Sequence, residues 1–220
     1  QKLSKEIINM LNFYNYSIID STLLKDSFNK IQQQSRAEIV TGPEADQVYQ
    51  QTIGTIRTPN ETKNFSFENL LKIQGRSGNF YIAQCVIDFG YPPSNMGFPG
   101  TEIKYSLQLI GIAKSNTDLG NTFIRPESEV DKWIGHFIHQ DIIFEHALQF
   151  SDKYFLTSDK KDVIQQTFGN SFLDCISKYD GILLATKGTE MYISFTTGLS
   201  VEQGLIVMDV FNACGFLVKM

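Results

Sequence analysis

Asn79-Phe80-Tyr81-Ile82-Ala83-Gln84-Cys85-Val86-Ile87-Asp88-Phe89 decides the fold class. The run is dense in aromatic and β-branched side chains, which suit a pleated, half-buried surface, and it predicts a strand. A second such run covers Ile103 to Ala113 and puts Tyr105, Leu107, Leu109 and Gly111 on one face. That alternation is the two-residue period of a strand. Tyr91-Pro92-Pro93-Ser94-Asn95-Met96-Gly97-Phe98-Pro99-Gly100 lies between them, so the pair reads as a hairpin with a long Pro/Gly-rich loop.

Helices flank these strands. Leu3, Ile7, Met10, Leu11 and Tyr14 recur at helical spacing over 3–16. Asp20-Ser21-Thr22 offers an N-cap for a second helix carrying Leu23, Leu24, Phe28 and Ile31. From Gln32 to Asn64 the chain is polar, with Gly42-Pro43 and Thr58-Pro59 as breakers, and predicts loop around one short helix near 44–51. Phe123 to Pro126 reads as a short strand. Ser128 then starts a helix striped with Val130, Trp133, Ile134, Phe137 and Ile138. Asp141 to Phe144 and Phe150 to Thr157 read as extended. Lys160 to Tyr179 reads as two short helices broken at Gly169. Gly181 to Thr186 and Glu190 to Phe195 form a hairpin about Lys187-Gly188-Thr189, and Ser200 with Gln203 caps a last helix ending near Ala213, with Gly215 as its C-cap. The expectation is an α+β fold: antiparallel hairpins forming a sheet, packed with several short helices. It is a single unit over 1–220, divisible into lobes at 1–120 and 121–220.

Composition narrows the function classes. The 220 residues are 42% hydrophobic and 20% charged, an ordinary globular balance large enough to bury a core without disulfides or metal. With a net charge of -5 and scattered Lys and Arg, no basic stripe for nucleic acid or an anionic membrane appears. Cys85, Cys175 and Cys214 each sit in an apolar run, which favours free thiols in a reducing, cytoplasmic compartment. The triplets at Asn15, Asn60 and Asn64 are no more than this Asn/Ser/Thr-rich composition supplies by chance. No apolar run approaches the ~18 residues that span a bilayer. Gln1 is not an initiator, so a membrane segment preceding it is an expectation open to the chain.

Candidate chemistry is sparse. His136, His139, Asp141, Glu145 and His146 are the densest metal-type cluster. His136 and His139 fall opposite the apolar stripe, however, and predict a solvated helix face rather than a metal site. Cys175 falls on an inner helix face, where a thiol is inert. Gly75-Arg76-Ser77-Gly78 lacks a phosphate-loop ending and reads as a turn. Asp88, Glu102 and Glu190 are single strand carboxylates, expected to be solvated. Phe80, Tyr81, Phe89 and Tyr91 have no interleaved basic residues and read as sheet core. No catalytic, cofactor-binding or metal residue is therefore assigned. Tyr91, Met96 and Phe98 on the 91–101 loop are the candidate contacts for a protein partner, because scaffolded loops carry recognition.

Phe123-Ile124-Arg125-Pro126-Glu127, Asp141-Ile142-Ile143-Phe144, Phe150-Ser151-x-x-Tyr154-x-Leu156, Asp162-Val163 and Phe168, in that order, resemble a family of uncharacterised bacterial domains. The likeness covers about 65–220 and departs near Leu148, where the family tends to have proline. The resemblance implies a domain placed behind one or two N-terminal transmembrane helices. It supplies no activity to carry over. The expected function is a non-catalytic binding or interaction module, the water-facing part of a membrane-tethered protein. The alternative is a hydrolase whose site is assembled from scattered residues, marked by a pocket of convergent polar groups with shifted pKa values.

Overall fold

A computed structural model describes residues 21–56, 64–76, 78–88, 105–127, 142–197 and 199–217. Eight strands form one sheet: β1 (Ala37–Ile39), β2 (Asn64–Gln74), β3 (Asn79–Asp88), β4 (Tyr105–Lys114), β5 (Thr122–Pro126), β6 (Tyr154–Ser158), β7 (Ile182–Lys187) and β8 (Glu190–Phe195). Their order is β1-β2-β3-β4-β8-β7-β5-β6, and every neighbouring pair is antiparallel. The fold is α+β, as the alternation predicts. The late hairpin β7–β8 inserts between β4 and β5, so strands from 1–120 and from 121–220 lie side by side in one sheet joined at β4–β8.

That insertion is fastened at one corner. Ser115 N–H donates to Thr189 O at 2.7 Å, Leu119 N–H to Gly188 O at 2.8 Å, and Gly188 N–H to Gly120 O at 3.0 Å. The crossing chain is thus stitched to the hairpin turn. Gly188 sits at φ +64°, the left-handed region that a tight turn requires and that glycine enters without a Cβ penalty.

The helices are α1 (Ser21–Gln34), α2 (Pro43–Ile56), α3 (Leu148–Ser151), α4 (Lys161–Thr167), α5 (Asn170–Ser177) and α6 (Gln203–Ala213). Five of them share one core. Ile31 of α1, Phe150 of α3, Ile164 of α4, Phe172 and Ile176 of α5, and Val207 and Phe211 of α6 pack with Ile82, Leu109, Ile124, Leu184 and Ile193 of the sheet. Phe168, Phe172 and Phe216 form a ring triad with centroids 4.7 to 5.5 Å apart. Among the described helices, α2 alone packs on the opposite face, where Ala45 and Val48 meet a core of Leu70, Tyr81, Ala83, Cys85, Ile110, Ile112 and Tyr192. The central strands are therefore buried on both sides.

Several expectations are corrected. β2 is an 11-residue strand that alternation does not reveal. A bulge between Phe67 and Asn69 shifts the register, so Phe67 pairs with Cys85 and Leu70 with Ala83 on one face although they stand three residues apart. The helix expected near 44–51 runs from Pro43 to Ile56, with proline at its first position, where no N–H is needed. Phe150 and Ser151 belong to the helix Leu148–Ser151, so the extended segment expected from Phe150 begins only at Tyr154, and 142–144 form no strand; Ile142 N–H bonds to Leu156 O at 2.9 Å. Only half of the Ser200 capping box forms: Gln203 Oε1 accepts from Ser200 N–H at 3.2 Å, and no side chain caps α6. Cys214 is the C-cap, and Gly215 does not adopt a positive φ. The split at Gly169 is present, with Gly169 as N-cap of α5. The expected helices at 3–16 and from Ser128, and the 91–101 loop, lie outside the described residues.

Candidate functional site

The helix on the second face creates a groove. Tyr49 of α2 stacks on Phe67 of β2 with centroids 4.5 Å apart and planes 11° from parallel. Five residues earlier, Glu44 Oε1 accepts from Lys72 Nζ at 2.9 Å and from the Tyr81 hydroxyl at 2.8 Å. Lys72 and Tyr81 are cross-strand partners of β2 and β3, so the sheet register brings both donors to one carboxylate. Ring stack and carboxylate together hold α2 over β2 and β3.

A cleft of about 330 Å³ lies beside α2, toward β4 and β8. Glu44, Gln47, Val48, Gln51 and Thr52 form the helix wall; Tyr81, Ile112, Ala113, Lys114, Glu190 and Tyr192 form the sheet wall. Lys114 stands opposite Glu190 and Ile112 opposite Tyr192 in the β4–β8 register. The Tyr192 hydroxyl donates to Glu190 Oε2 at 2.7 Å. Two carboxylates, two phenols, two carboxamides and an ammonium thus border an aliphatic floor. A broader hollow of about 510 Å³ beside α5, Ala213 and Phe216 has no ionisable side chain in its lining.

The electrostatics of this groove have a consistent sense. The hydrogen bond from Lys72, then that from Tyr81, holds the Glu44 carboxyl below its usual range. The Glu44 carboxylate raises Lys72. Burial, then the bond to Glu44, raises Tyr81. Each group is driven further into the form it already has at neutral pH.

Of the residues weighed from sequence, Glu190 and Tyr81 enter the groove. Phe80 and Tyr81 point to opposite faces, Phe80 against Phe211 at 5.0 Å, so no stacking platform forms from that pair. Gly75–Gly78 makes the β2–β3 turn, closed by Gly75 N–H to Gly78 O at 3.0 Å. His146 and Glu145 are exposed, and His146 lies edge-on to Phe144. No group of three or more His, Cys, Asp or Glu among the described residues is placed to hold a metal. His136, His139, Asp141, Glu102, Phe89 and the loop contacts Tyr91, Met96 and Phe98 lie outside the described residues, as does the Asp88 side chain. Cys85, Cys175 and Cys214 are buried and form no disulfide with one another; burial raises the Cys175 thiol and, more strongly, that of Cys214. Glu44, Gln47, Gln51, Lys114 and Tyr192 were not singled out from sequence.

These features define an antiparallel α+β domain in which, of the two hollows just described, the one lined by ionisable side chains sits between α2 and the middle of the sheet. No family model, no curated protein and no solved structure matches the chain. Among the described residues no helix is long and apolar enough to cross a membrane.

Proposed function

We propose that this domain is a non-catalytic binding module whose ligand lies in the groove between α2 and β3, β4 and β8. The supporting observation is the sense of the shifts at Glu44, Lys72 and Tyr81. A general acid or base works best with a pKa near the working pH, and these three are moved away from it. Such groups suit recognition: a carboxylate that stays charged, a phenol that stays a donor, and carboxamides at Gln47 and Gln51 that offer both roles. The apolar floor of Val48 and Ile112 supplies contact area. The groove does gather polar groups with shifted pKa values, the mark of the hydrolase alternative, but the sense of the shifts at Glu44 and Tyr81, away from the working pH, favours binding over acid–base chemistry. The family resemblance supports a tether N-terminal to the domain, and the composition of the 91–101 loop supports Tyr91, Met96 and Phe98 as contacts for a protein partner.

The test is a nitrogen-15 NMR screen with a fragment library of neutral amides, amines and carboxylates. Shifts are expected to cluster at Gln47, Gln51, Lys114 and Tyr192, with every fragment recovered unchanged. Gln47→Trp, which fills the groove from an exposed helix position, is expected to weaken binding at least tenfold. Fragments that shift only a different surface, or that are converted, overturn the reading.

A further inference from the structure

The groove carries charges of both signs at two separate places. At the α2 wall stands Glu44, whose side chain is 47% exposed. Its Oε1 takes both the Lys72 and the Tyr81 bonds, so the carboxylate is held in one orientation with Oε2 as its second acceptor. At the outer end of the sheet wall stands Lys114, half-buried and opposite Glu190 in the β4–β8 register. Glu190 accepts from the Tyr192 hydroxyl, and Lys114 makes no ion pair among the described residues. Between these two places lies the aliphatic floor. Ile112 pairs with Tyr81 on one side and with Tyr192 on the other, so the two tyrosines stand two strand spacings apart, about 10 Å.

This arrangement selects among ligand classes. Glu44 is balanced by Lys72 and Glu190 by the facing Lys114, so the groove has opposite charges at its two places and no excess of either sign. A simple anion gains at Lys114 and is repelled at Glu44; a simple cation meets the reverse. A molecule with both charges gains at both places, through charge-assisted hydrogen bonds roughly twice as strong as neutral ones. The volume of about 330 Å³ is near the lower end for ligand sites and admits one small molecule. Its two charges must therefore be close together, and its remaining part must be apolar to cover Ile112 and Val48.

We infer that the ligand of the groove is a free α-amino acid with an aliphatic side chain, bound as its zwitterion between Glu44 and Lys114. Its ammonium donates to Glu44 Oε2, its carboxylate accepts from Lys114 Nζ, and its side chain lies on Ile112 and Val48 between Tyr81 and Tyr192. A residue inside a peptide carries neither charge on its backbone and meets neither requirement. This inference rests on the groove being the binding site.

The probes are leucine, 3-methylbutylamine, which lacks its carboxylate, and 4-methylpentanoate, which lacks its ammonium. Each is titrated by NMR into the wild type and into Lys114→Met, Glu44→Gln and Gln47→Trp. Leucine is expected to bind the wild type about tenfold or more tightly than either control, the effect of one hydrogen bond to a charged group. Lys114→Met should weaken leucine by about tenfold without weakening the amine, which erases the preference between them. Glu44→Gln should in the same way erase the preference for leucine over the acid. A variant that merely disturbed the fold would weaken all three probes together. Lys114→Met keeps the unbranched stem of a half-buried residue and should fold; it carries the test if Glu44→Gln, which also loosens α2, does not. A control that binds as tightly as leucine and is blocked by Gln47→Trp overturns this inference and leaves the groove reading standing. So does a preference for leucine that survives in Lys114→Met, or a wild type that binds other fragments in the groove and not leucine. Leucine binding that Gln47→Trp leaves intact overturns both readings.

Discussion

Gly111→Ala tests how closely helix and sheet are fitted on the main core face. Gly111 sits in the centre of the sheet, opposite Ile82 and Ile193. A Cβ there would stand 2.5 Å from Val207 Cγ1 and 2.9 Å from Phe211 Cε2. Both helix residues are fully buried. Ile31 of α1 packs closely on the same face of α6, where a Cβ on Gly204 would stand 2.3 Å from Ile31 Cδ1, so this seam has little slack along its length. Replacing glycine in a strand gains about 0.5–1 kcal/mol of backbone entropy, whereas overpacking a core costs about 1–3 kcal/mol. The expected net loss is ~1–2 kcal/mol. Val207→Ala alone removes two buried methylene equivalents at ~0.8 kcal/mol each and leaves a small void, for a loss of about 2 kcal/mol. In the double variant the new methyl enters the space vacated by Val207 Cγ1, so the two losses should not add. Urea denaturation followed by circular dichroism on the four proteins yields the coupling, expected to be at least 1 kcal/mol in the stabilising sense. Additivity within ~0.5 kcal/mol, or a Gly111→Ala protein as stable as wild type, would refute the close approach of α6 to β4.

Glu44→Gln is expected to lower stability at pH 7 by a few tenths to about 1 kcal/mol, the range for a largely exposed pair. Because the folded-state carboxyl is held below its unfolded value, this contribution is present above the unfolded pKa and fades as pH falls through the lowered one; wild type and variant should therefore converge in denaturation experiments as the pH is taken below the lowered value. A stability difference that grows on acidification would contradict the assigned bond. Thiol titration of the unfolded, unreduced protein should count all three cysteines, with none reacting quickly in the folded state, since all three are buried and burial raises Cys175 and Cys214. A count of one would mean a disulfide.

The elements legible in the sequence are those whose period is unbroken. β3, β4, β7 and β8 are uninterrupted runs rich in apolar, aromatic and β-branched residues, and Gly169 divides α4 from α5 where a glycine should. β2 was hidden because one extra residue reverses its parity: Phe67 and Leu70 share a face that strict alternation forbids. Phe150 and Ser151 read as extended rather than helical for a related reason. Phe150 and Tyr154 stack at 5.6 Å in one core, and a spacing of four is compatible with either a helical turn or two strand pleats. Helix α2 was underestimated because its surface is polar nearly throughout; its position depends on Tyr49 finding Phe67 and Glu44 finding Lys72 and Tyr81.

The groove was illegible for a deeper reason. Glu44 and Tyr81 are 37 residues apart, and only the β2–β3 register turns Lys72 and Tyr81 toward a single carboxylate. Gln108 shows the limit most clearly. Leu107-Gln108-Leu109 is the pattern of a strand with one dry and one wet face, and on that reading Gln108 is solvated. Two residues later Ile110 and Ile112 place apolar groups on the supposedly wet face, which signals that both faces of β4 are covered. Taken with that second face, the glutamine changes meaning. A polar residue on a strand buried on one side is surface, whereas the same residue on a strand buried on both sides is a desolvated carboxamide whose partners have to be found. The conflict between the alternation of Leu107 to Leu109 and the apolar Ile110 and Ile112 is therefore the sequence's own trace of the covered second face, and it can be read only once the pairing of β4 with β8 is known.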